Sequence, residues 1–237
     1  MTVFLATSRA ELAPVARPCR VAASDRAPVR RQPWWDEGAK RALDLFLSGV
    51  ALVLLAPLLA AVALAVKLDS PGPVFYRGVR VGRGFQRFRI FKFRSMVTGA
   101  AMVREVPASR NDPRVTRVGR LLRKYKLDEL PNLINVLLGQ MSLVGPRPEA
   151  EFLTEEYTEE ERLILSVRPG ITDLASIEFG NQQELIGGGD PLGEFRSRVL
   201  PRKNALRLKY VRERSFWGDV RILLATLRLV LSRAMKR

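Results

Sequence analysis

Between Leu45 and Val66 the chain runs for 22 residues without a charge, LFLSGVALVLLAPLLAAVALAV. As a helix this stretch is roughly 33 Å long, against a bilayer hydrocarbon core of about 30 Å. Pro57 lies near its middle, where the missing N–H and the ring predict a kink or break. Both flanks are basic, with Arg30, Arg31, Lys40 and Arg41 before the run and Lys67, Arg77, Arg80 and Arg83 after it. Charge therefore assigns no orientation across a membrane. A spanning helix is the first reading. A helix that enters and returns on one face is the second, and it removes the charge conflict. A buried core helix comes third, because the run is too long for one. Trp34 and Trp35 suit an interfacial belt.

Beyond the run the period changes. Val74–Val81 and Phe85–Arg94 read as two strands around Gly82-Arg83-Gly84, a hairpin. Phe85, Phe88, Phe91 and Phe93 alternate with basic residues, so one face of the hairpin is a core face. Asp112-Pro113 reads as an N-cap followed by the first helical residue. The helix behind it sets Val115, Val118, Leu121, Leu122 and Tyr125 on one face and Arg114, Arg117, Arg120 and Lys124 on another. Leu127, Leu130, Leu133, Ile134, Leu137 and Leu138 repeat at helical spacing, with Asp128 as the cap, Pro131 in the first turn and Gly139 as the stop. Glu149–Glu161 reads as a solvated acidic helix and Gly187-Gly188-Gly189 as a loop. From Phe216 onward Val220, Leu223, Leu224, Leu227, Val230 and Leu231 form the apolar face of a basic amphipathic helix, suited to packing on the domain or lying on a membrane. Residues 1–33, rich in Ala, Arg, Pro and Ser, read as a disordered basic tail and not as a signal peptide.

Composition narrows the chemistry. The chain has 237 residues and a formal net charge of +16, so an anionic partner is expected: nucleic acid, anionic lipid or a phosphorylated substrate. A basic solvated face accounts for part of the excess. There is no histidine, which excludes Ser-His triads, His-ligated metals and imidazole acid–base catalysis. The lone Cys19 allows neither an internal disulfide nor a thiolate zinc site. Any metal would be a hard cation on carboxylates, Mg2+ first. From Pro71 to Lys126 there are 15 Lys and Arg residues against two acids, Glu105 and Asp112.

That basic stretch runs into Asp128-Glu129. Acids at a helix start are commonly caps that complement the dipole. Here Arg123, Lys124 and Lys126 also favour an ionised carboxylate, which can be a nucleophile toward phosphorus. Arg147 sits between Pro146 and Pro148, so its backbone is fixed and its guanidinium is presented rigidly, as phosphate recognition prefers. An ordinary surface turn is the competing account. These features converge on phosphoryl chemistry at a membrane. The alternatives are a noncatalytic scaffold binding anionic lipid and a membrane-tethered nucleic-acid binder.

Several motifs occur in order: Lys40-Arg41 before the proline-interrupted run; Phe91-Lys92-Phe93-Arg94-Ser95-Met96; Asn111–Gly119; Leu127-Asp128-Glu129-Leu130-Pro131; Asn135-Val136-Leu137; Met141–Pro148; and Arg168-Pro169-Gly170-Ile171-Thr172. Together, across 38–232, the chain resembles the bacterial sugar transferases, the monotopic polyprenyl-phosphate phosphoglycosyltransferases that initiate exopolysaccharide, capsule and O-antigen synthesis. The resemblance implies a compact α/β domain over 69–215, mostly helical with a small hairpin or sheet. It implies a re-entrant helix over 34–68 broken at Pro57, a C-terminal amphipathic helix over 216–237, and a location on the cytoplasmic face of the bacterial inner membrane. Asp128 would attack the sugar-proximal phosphate of a nucleotide diphosphosugar, usually a UDP-sugar, releasing UMP and passing the sugar phosphate to polyprenyl (undecaprenyl) phosphate. Glu129 would serve as metal ligand or acid–base partner, with Asp128 and Glu129 holding Mg2+. Arg123 would bind phosphate, with Lys92 and Arg147 as further phosphate contacts. Nucleic acid falls outside the implied partners, and a homo-oligomer is allowed. Lacking the multi-span N-terminal half of larger members, the chain reads as a minimal catalytic form. It departs from the family at Ala56, Gly99, Gln140 (where an acid is usual) and Asp173–Phe179, a stretch that bears on donor choice.

Overall fold

The computed structural model describes residues 34–98, 112–179 and 190–235. The tail over 1–33, Gly99, the triple glycine and the side chains of Trp34 and Trp35 fall outside this description.

The first helix, α1 (Trp34–Asp69), spans 36 residues and continues through Pro57. The break expected there is not seen. Leu and Ala on both sides are strong helix formers, and contact along one side supports the helix across the lost hydrogen bond. Asp44, Ser48, Val62 and Val66 are buried at helical spacing, with Leu52 and Leu59 packed beside them. Phe46, Val53, Leu54 and Leu64 are exposed on the opposite face. The helix therefore lies along the body of the protein with one stripe in and one apolar face out.

Polar clasps hold both ends. Near the start, Lys40 donates to the Val144 carbonyl (2.9 Å) and pairs with Asp219, and Arg41 donates to Val136 O (2.8 Å). Asp44 accepts the Leu143 N–H (3.0 Å). At the far end Asp69 accepts the Val118 N–H (3.0 Å), and Arg94 donates to the carbonyls of Val66 (3.1 Å) and Ser70 (2.6 Å).

The expected hairpin is present but interrupted. Strands β1 (Phe75–Tyr76) and β2 (Val79–Val81) pair antiparallel with β4 (Lys92–Phe93) and β3 (Arg87–Arg89) respectively. Phe75 faces Phe93 and Val79 faces Arg89, so both ladders share one register, bridged by Ile90 N–H to Gly78 O at 3.0 Å. Phe88 and Phe93 are buried, whereas Phe85 is exposed at the tip.

Helix α2 (Arg117–Tyr125) is capped by Thr116, whose hydroxyl accepts the Gly119 N–H (2.9 Å). Asp112 is not the cap. With an arginine two residues on, its carboxylate turns back to bind the Arg114 N–H (2.9 Å) and guanidinium. Leu122 is buried, but Leu121 and Tyr125 point outward, unlike the single apolar face expected. A 3-10 turn, Leu127–Glu129, then leads into α3 (Asn132–Leu137), which has no side-chain cap. Asp128 thus does not cap α3. Gly139, at φ 78°, ends the helix as expected.

Strand β5 (Ser142–Val144) runs parallel to β6 (Gly170–Thr172). The chain between them includes α4 (Glu151–Thr154), so the acidic stretch is only briefly helical. Glu149 at its start is not solvated: it pairs with the fully buried Arg207 at 2.7 Å. After β6 come α5 (Leu174–Glu178), α6 (Pro191–Glu194), α7 (Leu200–Glu213) and α8 (Phe216–Met235). The main core joins Ile90, Leu133, Val136, Met141, Val144, Val211 and Ile222. Helix α8 packs through Ile222 and Leu223 and leaves Leu224, Leu227 and Val230 exposed. The described residues are thus predominantly helical, with strands in three two-stranded pairings.

Candidate active site

Local backbone geometry sets the two acids apart. Lys126 is left-handed (φ 59°), which closes α2 and turns the chain into the 3-10 turn. A non-glycine residue in this region carries strain that only fixed surroundings maintain. Asp128 points inward, 8% exposed, and its Oδ1 has no hydrogen-bond partner. It opens into a cavity of about 610 Å³ whose wall includes Arg77, Lys92, Arg114, Arg123 and Arg147. Arg123 contributes a buried Nη1 that is also without a partner.

Glu129 lies behind this wall. Its Oε1 accepts from Lys92 Nζ (3.1 Å) and from the Arg147 guanidinium. Arg147 also donates from Nη1 to Ile171 O (2.9 Å), and its backbone N–H donates to Asp173 (3.2 Å). Asp173 in turn caps α5 and faces Arg207 at 3.6 Å. Lys92 is placed by Asn135, whose amide accepts the Phe91 N–H (2.8 Å) and donates to Arg89 O (3.0 Å).

The two carboxyls are driven in opposite directions. Burial, and then the neighbouring Glu129, push Asp128 above the usual carboxylate range, against the pull of Lys92, Arg123 and Lys126. This reverses the expectation that its surroundings favour the ionised form. For Glu129 burial also opposes ionisation, but Arg147, Lys92 and Lys126 outweigh it and hold the carboxyl far below its usual range. Burial lowers Lys92, and Glu129 only partly offsets it.

Asp128, Arg123, Lys92 and Arg147 therefore meet on one cavity. Pro57 stands apart, exposed on α1. Gln140 is exposed, does not line the cavity, and accepts from Asn135 Nδ2 (2.7 Å). It supports the platform under Lys92. Sequence reasoning assigned no individual site role to Asn132, Asn135, Asp173 or Arg207. Two asparagines inside an otherwise apolar helical stripe were a signal for the first pair; the other two act through partners far away in the chain.

Among the described residues no three acids cluster as a metal cage. Mg2+ needs no such cage, since it takes one or two carboxylates plus substrate phosphates and keeps water. The buried, unpartnered Asp128 Oδ1 fits that role, whereas Glu129 Oε1 is already held by two cations.

Residues 35–233 match the family described as bacterial sugar transferase. The chain belongs to this family. Similar to this bacterial sugar transferase is the undecaprenyl-phosphate glucose phosphotransferase of Komagataeibacter xylinus, 44% identical over 209 residues, 84% of this chain and 37% of that protein. The UDP-glucose:undecaprenyl-phosphate glucose-1-phosphate transferase of Escherichia coli K12 is 43% identical, covering 79% of this chain and 39% of that one. The chain thus matches about two fifths of the length of either relative. The exopolysaccharide production protein PSS of Rhizobium leguminosarum bv. phaseoli is 43% identical, and the match covers 92% of its length.

Proposed function

We propose that this chain transfers a sugar-1-phosphate from a UDP-sugar to undecaprenyl phosphate, with Asp128 as the nucleophile. The observation that carries this reading is a buried carboxylate oxygen without a partner, facing a cavity walled by arginine and lysine. Such a wall neutralises the charge of a diphosphate. The names of the relatives supply the reaction class and both substrates.

In the first step an Asp128 oxygen forms a bond to the sugar-proximal phosphorus. The bond from that phosphorus to the bridging oxygen breaks, and the electron pair leaves with UMP. In the second step a terminal oxygen of the lipid phosphate attacks the same phosphorus, and the Asp128 carboxylate departs. Arg123, with its open Nη1, and Lys92 and Arg147 hold the phosphates. Glu129 stays ionised and keeps Lys92 and Arg147 on the wall, which suits a positioning role better than proton donation. Asp128, with Glu129 beside it, would hold Mg2+, which would supply further charge neutralisation on the diphosphate.

The chain works as a monotopic protein on the cytoplasmic face of the bacterial inner membrane. Helix α1 is long and apolar enough to cross a membrane. Yet the clasps at Lys40 and Asp44 and those at Asp69 and Arg94 bind both its ends to one body. This supports a helix that keeps both ends on one side. Cysteines introduced at Gly38 and Ser70 in a Cys19-free background would both be labelled from the cytoplasmic side; labelling from opposite sides would sink the topology.

The reaction is tested by UMP release from a panel of UDP-sugars, with undecaprenyl phosphate and Mg2+. Wild type should turn over and leave a phosphosugar adduct on Asp128 in the absence of lipid, whereas Asp128→Asn should do neither. Turnover by Asp128→Asn would overturn the assignment.

A further inference from the structure

Two asparagines on α3 are equally buried, both at 0% exposure, and they differ in one respect. Asn135 is satisfied: its Oδ1 accepts the Phe91 N–H, and its Nδ2 donates to Arg89 O and Gln140 Oε1. Asn132 is not. Neither its Oδ1 nor its Nδ2 has a partner. Asn132 lines the same cavity as Asp128, Arg123 and Lys92. It stands four positions after Asp128, a spacing that brings side chains onto a common side of a helical turn.

A buried amide with both ends unmade destabilises the protein that holds it, and an apolar side chain of similar shape would serve packing better. Its helix neighbours Leu133 and Val136 are apolar and buried in the core. The amide is therefore suited to something that enters the cavity. That ligand must offer an acceptor to Nδ2 and a donor to Oδ1. A phosphate oxygen satisfies the first alone. A phosphosugar supplies both, because its phosphoryl oxygens accept and its hydroxyls donate. The nearness of Asp128 places the amide beside the phosphorus under attack rather than at the distant end of a nucleotide.

We infer that Asn132 is a catalytic residue of the transferase proposed above, holding the phosphosugar with Nδ2–H on a non-bridging phosphoryl oxygen and Oδ1 on a sugar hydroxyl. The donor bond strengthens as negative charge builds on the phosphoryl group, so it acts on the rate and not only on binding. Because the phosphosugar stays in place while UMP leaves and the lipid arrives, Asn132 serves both half-reactions.

The test uses the full chain in detergent or nanodiscs, comparing wild type with Asn132→Leu and Asn132→Asp. Adduct formation from a UDP-sugar and discharge of the adduct to undecaprenyl phosphate are timed separately, and thermal unfolding is followed without substrate. Asn132→Leu is expected to slow each half-reaction by about 10²-fold, the scale for removing one donor from a developing oxyanion, while its Tm holds or rises. Asn132→Asp, which keeps the shape and removes the donor, is expected to lose at least as much. A lowered Tm for Asn132→Leu would make the amide structural and overturn the inference. Loss confined to adduct formation would also overturn it, since the amide would then read the departing nucleotide. Wild-type rates in Asn132→Asp would overturn the donor role. An inactive wild type would remove the transferase reading and this inference with it; an active wild type matched by both variants removes only the inference.

Discussion

Gly145 and Gly170 meet backbone to backbone: a Cβ built on Gly170 would lie 2.1 Å from the Gly145 nitrogen and 2.3 Å from its oxygen. This contact seats β6 against the chain that carries Arg147. Gly170→Ala should lower stability by about 3 kcal/mol, because the obstructing atoms are main chain and cannot rotate away. Chemical denaturation in detergent measures the loss. Turnover should fall with it, since Ile171 O is one of the two anchors of the Arg147 guanidinium.

Arg147 holds Glu129 and Ile171 O with different nitrogens of one planar group. Lysine offers a single point of charge and cannot span both. Arg147→Lys should reduce turnover by about 10- to 100-fold, on the order of 1.4–2.7 kcal/mol. Steady-state kinetics at saturating UDP-sugar checks it.

Asp44 is buried, and its acceptor oxygen satisfies the Leu143 N–H at 3.0 Å. Asp44→Ala leaves that N–H without a partner and should cost about 1–3 kcal/mol. Asp44→Asn keeps an acceptor and should recover most of it. Tm of the three proteins in one detergent, with exchange of the Leu143 amide hydrogen, separates the outcomes.

Lys203 carries the pH prediction. Burial lowers its pKa to about 8, with Glu149 opposing the shift and Arg207 adding to it. The folded protein therefore releases this proton before the unfolded chain does, whose value is 10.5. Below pH 8 the buried ammonium destabilises the fold, and that penalty disappears as pH rises from 8 toward 10.5. Lys203→Met should be more stable than wild type at pH 7 by roughly 1–3 kcal/mol, and the difference should close by pH ~10.5. Parallel melts at pH 7 and 10 decide it.

The parts of this protein written locally were readable from the chain. Gly82-Arg83-Gly84 between alternating segments marked the hairpin, the Val220–Val230 stripe marked α8, and Asp128-Glu129 after a basic run marked the candidate site. What escaped was set by partners distant in sequence. Asp112 was a plausible cap until Arg114 claimed it, leaving Thr116 to do the capping. Glu149 looked like one more solvated acid because Arg207 lies 58 positions away. Neighbouring cations suggested an ionised Asp128, but burial, which only folding imposes, joins the adjacent Glu129 to reverse the balance. Pro57 pointed to a break, and the contacts along α1 that carry the helix past it belong to residues far downstream.

Arg94 links the first helix to the cavity. One nitrogen of its guanidinium ties down the end of α1, at Val66 and Ser70, while the same residue forms part of the cavity wall. The apolar helix and the cavity are thus joined without a tether between them. Under the monotopic placement proposed above, the cavity mouth would keep a constant height above the acyl chains, and a lipid phosphate drifting in the leaflet would be met at that one level rather than searched for.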